Sequence, residues 1–290
     1  MSAVISGPAT ASRSPIWHGA TRLLRNRSFL IGTGLVLIIA LMALFADVLA
    51  QFDPLRNSFR TRLRPPDGTY WFGTDHFGRD ILSRVLFGAR ISLTIGLLTA
   101  LVTGVAGTLI GATAGFFRPL DNPVMRLMDA LMAFPAILLA IAVAAVLGAS
   151  VTNVIIALAV ATTPHTARIV RASVLVVREQ EFVEAARALG ATELRVLFRH
   201  VLPNALGPLI VRLTYVFATA ILAEAALSFI GVGPPPPAPS FGSIIAQGRD
   251  FIAEAPWITI FPGLAIIVSV LGLNLLGDGL RDVLDPRMRT

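Results

Sequence analysis

Six stretches of this chain stay apolar for about 20 residues, the length a helix needs to cross the hydrocarbon of a bilayer. They are Phe29 to Ala50, Ile91 to Phe117, Met128 to Leu147, about Val151 to Val170, Ala205 to Ile230 and Pro256 to Leu276. Of the 290 residues 55% are hydrophobic and only 14% charged, with a mean hydropathy of +0.76, which is too apolar for an ordinary soluble domain. The fold expected is all-α, a polytopic membrane protein with six transmembrane helices. The first span lacks an A-x-A cleavage site and is too long for a signal peptide, so it reads as retained. In the fourth, Pro164 is placed to bend the helix, and Arg168 and Arg171 follow so closely that it is expected to run on beyond the membrane.

An even number of spans puts both termini on one side. That side also receives the linker after the second span and a polar island at Glu181 to Pro203, and it collects about twice as many arginines as the other. Excess arginine marks the cytoplasmic side. The segmentation is then a cytoplasmic tail at 1–28, a first transmembrane helix at 29–50, an extracytoplasmic loop at 51–90, a core of five helices at 91–280 containing the cytoplasmic island at 181–203, and a cytoplasmic tail at 281–290. The loop opposes this orientation in part, since Arg56, Arg60, Arg62 and Arg64 lie close together in it. At its end Ile81, Leu82, Val85, Leu86 and Ala89 repeat at helical spacing opposite Arg79 and Arg84, the pattern of a short amphipathic helix on the membrane surface. In the second span Gly107, Gly111 and Gly115 form a G-x-x-x-G-x-x-x-G series preceded by Gly104, which lets two helices approach closely. Packing within the chain is the plain reading of that series, and a subunit interface the alternative.

All 24 basic residues are arginine, and there is no cysteine. A disulfide framework and thiolate metal sites are excluded. Nucleic-acid binding is not expected from the +7 charge, because no basic stripe is interleaved with aromatics. A phosphate-cradling P-loop needs a lysine that the chain lacks, so it does not itself hydrolyse ATP. Neither H-E-x-x-H nor G-x-S-x-G occurs, which argues against an enzyme. No inverted repeat is visible and few acids lie in the spans, which argues against a self-sufficient secondary transporter.

Ionisable groups inside a membrane are costly and usually face a bundle interior or a water-filled path. Glu224, toward the outer end of the fifth span, is the candidate pathway residue, where its carboxylate would meet a peptide α-amino group; the alternative is a structural hydrogen bond to a neighbouring helix or loop. Arg212 reads as snorkelling toward the cytoplasm, and Asp129 with Arg126 as a helix-end pair at i, i+3. His165 has no partner at ligand spacing and reads as structural. Asn274 and Asp278 read as polar packing between helices.

The island EFVEAARALGATELRVLFRHVLPN is more than a connector, for which two to eight residues suffice. EFVEAARAL is a strong helix former with Gly190 placed as a left-handed C-cap. Thr192 is placed to cap a second short helix through Arg199, before Pro203 opens the next span. Ala185, Ala186 and Ala188 allow a close partner, and Glu181, Glu184 and Arg187 offer charges.

EAARALG followed by HVLPN resembles the EAA signature of the integral membrane permeases of ATP-binding-cassette importers, with Glu184, Ala185, Ala186, Gly190, Leu202 and Pro203 at the pattern's positions. His200 stands where isoleucine is usual, as in the peptide-type branch. GTDHFGRDILSR at Gly73 to Arg84, AEAALSFIGVG at Ala223 to Gly233 and the C-terminal NLLGDGLRDVLDPR are similar to the dipeptide and oligopeptide C-type permeases, and the similarity covers nearly all of the chain beyond its first twenty or so residues. The resemblance implies a type I importer permease fold in a bacterial plasma (inner) membrane. It implies that Glu181, Glu184, Ala185, Ala186, Arg187 and Gly190 belong to a coupling helix docked on an ATPase. It further implies a second homologous permease, two ATPase subunits holding ATP and Mg, and an extracytoplasmic peptide-binding protein, with no cofactor in this chain. The substrate it implies is a di- or oligopeptide, with glutathione or a nickel complex as the alternative.

Overall fold

A computed structural model describes Leu23 and residues 25–284, and the parts of the two expected tails at 1–22 and 285–290 lie outside the described residues. Among the described residues there is no β-strand, only helices and an isolated bridge between Thr74 and Asp80. The helices are α1 (Arg27–Leu44), α2 (Ile81–Phe116), α3 (Arg118–Met132), α4 (Ala136–Leu147), α5 (Val151–Arg178), α6 (Glu181–Ala188), α7 (Glu193–Phe229), α8 (Phe241–Gly248) and α9 (Trp257–Leu284). α1, α2, α5, α7 and α9 are long and apolar enough to span, and a sixth span is reached by counting α3 and α4 together, which meet at 89°.

That bend changes the expected third span. Pro135 cannot continue a helix from the residues before it, so only the 12 residues of α4 rise as an apolar helix, about 18 Å long. α3 carries its charges across the bundle. Asp121 accepts from Arg171 Nη2 at 2.6 Å, and Asp129 pairs with Arg168 rather than with Arg126.

The glycine series packs within the chain. A Cβ on Gly111 would fall 2.3 Å from the Ala167 carbonyl oxygen, on Gly107 2.7 Å from Thr166 Cγ2, and on Gly115 2.9 Å from the Arg171 carbonyl oxygen. Rising numbers on α2 meet rising numbers on α5, so the two run parallel. Gly96 and Gly104 meet Phe217 and Leu213 in turn, so α7 runs antiparallel to α2. α1 is sealed to α9 in the same way, with Gly32 against the backbone of Leu276 and Gly279 against Phe29. Close backbone approach is what small residues supply between helices in lipid.

α2 is a single helix of 36 residues, about 54 Å long, capped by the Asp80 carboxylate accepting from Ser83 N at 2.7 Å. It absorbs the amphipathic helix expected on the membrane surface. Ile81, Leu82, Val85, Leu86 and Ala89 are buried as their spacing demands, but so is Arg84, at 0% exposure. The arginine face is covered by other parts of the chain.

Candidate functional site

Three built features occupy the two ends of the bundle: the polar island at one end, and two buried polar knots at the end carrying residues 51–80.

The island opens on α6. Gly190 has φ +84°, and its N–H donates to the Arg187 carbonyl at 2.9 Å while Ala191 N donates to Ala186 at 3.1 Å. This is a Schellman cap, with glycine at the left-handed position. Nothing lies within 4 Å of a Cβ built there, so backbone conformation alone demands the glycine. Val183 is fully buried and Ala186 packs with it against a core formed with Val170, Val174 and Val201. Glu181, Glu184, Ala185, Ala188 and Gly190 face outward, with Phe182 45% and Leu189 90% exposed.

The island therefore differs from its sequence reading in three respects. Ala186 faces the chain's own core, Arg187 is held by Glu193 at 3.1 Å and lies over the Phe116 ring, and the outward apolar groups are Phe182 and Leu189. An apolar residue on each side of E-A-A was the signal for them, and the helical period sets both on one side of α6, about 100–120° round from Val183. The second short helix is absent as a separate element. Residues 193–196 are α-helical, 197–201 form a π-helical turn, and the helix continues unbroken through Leu202 and Pro203 to Phe229. Proline is tolerated there because it sits in the first turn after the π segment. Thr192 holds the N-cap position without a side-chain cap bond.

At the other end Glu224 is 0% exposed. Its Oε1 accepts from Ser228 Oγ and Ser240 Oγ, each at 2.7 Å, and its Oε2 from Ser92 Oγ at 3.1 Å. Ser240 is also the N-cap of α8, accepting from Ser243 N at 3.0 Å, and Ser92 accepts from Phe241 N at 3.1 Å. The carboxylate thus ties α2, α7 and the start of α8 together. This is a hydrogen-bonded arrangement with neighbouring helices, the geometry of the structural alternative for Glu224.

The second knot centres on Asp75, also 0% exposed. Its Oδ1 accepts from Phe77 N at 2.8 Å and Arg79 N at 3.0 Å, and its Oδ2 from Arg79 Nε at 2.7 Å and from Arg84 Nη1. Burial alone would push this carboxyl up, but Arg84, Arg79 and the backbone donors outweigh it and hold it below the usual carboxylate range. Asp80 has hydroxyl and amide donors but no such cation, and burial pushes it up. Burial first, then the charges of Arg79, Arg84 and Arg62 against that of Asp75, holds His76 below the usual imidazole value. Gly78, with φ +73°, lets this turn close against Ser58, whose carbonyl oxygen would lie 1.8 Å from a Cβ. Both arginines also donate to Gln247 Oε1, Arg79 at 2.8 Å and Arg84 at 3.0 Å, which fastens the end of α8.

Of the remaining polar residues, His165 is exposed, Arg212 is half-buried over the Tyr215 ring, and Asp278 is exposed rather than packed between helices. Among the described residues no cluster of His, Asp or Glu is arranged to hold a metal ion.

A bundle of long apolar helices with closely packed glycine seams and a capped helical island at one end defines a polytopic integral membrane protein. The match to known proteins is narrower. Residues 104–290 match the model of the binding-protein-dependent transport system inner membrane component, and residues 14–66 match the N-terminal TM domain of oligopeptide transport permease C. The chain belongs to that inner membrane component family. It is 55% identical over 277 residues, 96% of this chain and 94% of the relative, to a putative peptide transport system permease of Brucella abortus biovar 1 (strain 9-941). It is 42% identical to the dipeptide transport system permease DppC of Alkalihalophilus pseudofirmus, over 96% of this chain and 91% of that one. To the glutathione transport system permease GsiD of Escherichia coli O6:K15:H31 it is also 42% identical, over 96% and 92%. A chain of the inward-facing MetNI methionine ABC transporter superposes with a TM-score of 0.57 at 21% identity, covering 69% of this chain and 96% of that chain. The fold is that of the type I ABC importer permeases.

Proposed function

We propose that this permease forms, with a second homologous permease, the membrane path for di- or oligopeptides delivered by an extracytoplasmic binding protein. In this reading ATP and Mg are held by two separate ATPase subunits, and the chain itself carries no cofactor. The relatives named for peptide, dipeptide and glutathione transport support a substrate built on a short peptide backbone. The observation that carries the coupling role is α6. Its own apolar side packs on the chain through Val183, while Phe182 and Leu189 are left in solvent beside Glu181, Glu184 and Ala185. An exposed apolar side chain at 90% on a capped, rigid helix is a knob for a partner.

The island end, with the excess of arginine, is then cytoplasmic, as are both termini, and the 51–80 end faces the binding protein. ATP favours one arrangement of the two permeases and hydrolysis the other, and α6 carries the difference to the spans through its junctions with α5 and α7. Vesicles holding the whole assembly should accumulate a labelled tripeptide only with ATP on the island side and loaded binding protein on the other. Vesicles holding this chain alone should neither accumulate peptide nor hydrolyse ATP. Uptake by the chain alone would contradict this reading and restore that of a self-sufficient transporter.

A further inference from the structure

Between the end of α4, the C-terminal turn of α7 and the outer side of α8 lies a cavity of about 420 Å³, lined by Ser228, Pro234 to Pro236, Ser243, Gln247 and Arg249 among others. That is the size range of small-ligand sites. Its polar groups are directed by the two knots beneath it. Gln247, which lines the cavity, gives its amide oxygen to both Arg79 and Arg84, which identifies that atom as the carbonyl and leaves the NH₂ as its free donor. Two guanidinium groups against the single Asp75 carboxylate leave positive charge behind the amide, and polarisation along such a chain strengthens its free donors.

The hydroxyl hydrogens on the wall are already used. Ser228 donates to Glu224 and Ser243 to the Ser240 carbonyl. The prolines offer no N–H. Among the side chains, free donors therefore come from Gln247 and from Arg249, whose guanidinium stands over the Phe229 ring at 5.7 Å. None of the lining residues is acidic. Asp250 pairs with Arg249 at 3.3 Å but is itself 74% exposed, and an exposed pair of this kind yields readily to a better-placed anion.

We infer that this cavity is a subsite for the carboxylate of the transported substrate, the C-terminal carboxylate in the case of a peptide, received at the end of the bundle where the binding protein delivers it. The inference rests on the peptide reading given above. It assigns Gln247 and Arg249 as binding groups and Arg79, Arg84 and Asp75 as positioning residues acting through Gln247.

The test uses the whole assembly in vesicles, a tripeptide and its C-terminal amide, each at saturating loaded binding protein, with loading checked separately by fluorescence. Gln247→Glu is the informative variant. It keeps an acceptor for Arg79 and Arg84, so the knot persists, but it turns a second carboxylate oxygen to the cavity. The free acid should be imported about tenfold more slowly by this variant because like charges oppose each other, while import of the amide should change less than about twofold. Arg249→Ala should likewise slow import of the free acid and leave that of the amide nearly unchanged. An equal fall for both substrates would overturn the assignment, since a structural fault or a lost contact to an acidic side chain of the binding protein would affect both alike. No fall for either would also overturn it and leave peptide transport standing. Wild-type vesicles that import neither substrate would remove the peptide reading and this subsite together.

Discussion

Asp75→Asn tests whether the knot at the loop end holds the bundle together. The substitution keeps the size of the side chain and, with its oxygen turned to Phe77 N and Arg79 N, keeps those two bonds. Its NH₂ then faces the guanidinium groups of Arg79 and Arg84, which are 8% and 0% exposed. Two charge-assisted bonds are lost at about 1.5–3 kcal/mol each, in line with about 3–5 kcal/mol for breaking a buried pair and stranding its cation. At about 2–4 °C per kcal/mol for a chain of this size class, the thermal midpoint of the purified protein should fall by about 6–20 °C. Asp75→Asn with Arg84→Met should recover part of the loss, because the stranded charge is removed. The same group sets a pH dependence. Its folded value lies below the ordinary one, so its contribution is complete above the unfolded carboxylate value and is lost as pH falls through the lower, folded value. A midpoint within about 2 °C of wild type for Asp75→Asn, with no change on adding Arg84→Met, would refute the reasoning.

Two further substitutions probe the seams. Gly111→Leu sets a Cβ 2.3 Å from a backbone carbonyl that cannot turn aside, so α2 and α5 must part by about 1 Å to restore van der Waals contact; solubilised yield and thermal midpoint should both drop, whereas Gly34→Leu, with nothing within 4 Å of its Cβ, should match wild type. Glu224→Ala leaves three serine hydroxyls, that of the α8 N-cap Ser240 among them, without their acceptor and should expose the 230–240 segment to protease, while Glu224→Gln, which still accepts through one oxygen, should show a smaller effect; equal protection in both variants would show that the carboxylate does not hold α8.

Five of the six spans were legible because hydropathy decides which segments enter lipid, whereas the third is broken at Pro135 into α3 and α4. The ends of the spans were legible only in part. Arg168 and Arg171 announced that α5 runs on past its apolar stretch, but not that Asp129 and Asp121 of α3 hold them, since those acids lie 39 and 50 residues away. Arg84 reads as a solvent-facing residue on an amphipathic helix, yet its partners are Asp75, nine residues earlier, and Gln247, at a separation of 163 residues. Glu224 was conspicuous as a lone acid in a span, but its meaning lies in Ser92 and Ser240, which only the packing of α2 and α8 brings to it. The Gly190 cap, by contrast, was readable in full, since backbone conformation is a property of the local chain, and the glycine spacing announced a close helix contact without saying which helix makes it. Ala186 shows the limit of a motif, for the pattern names the residue without saying which way it faces.

The role of α6 as the contact to the ATPase is tested most directly by Leu189→Asp. This side chain touches little of its own chain, being 90% exposed, so insertion and thermal midpoint should be unchanged. If it seats in a pocket of the ATPase, the variant loses about 1.5–3 kcal/mol of apolar burial and adds a charge to a dry contact. Copurification of the ATPase should then fall at least about tenfold, with Ala185→Arg behaving likewise, or hydrolysis should persist without peptide uptake. Wild-type retention of the ATPase together with wild-type uptake in both variants would contradict the coupling role and leave the island as a connector.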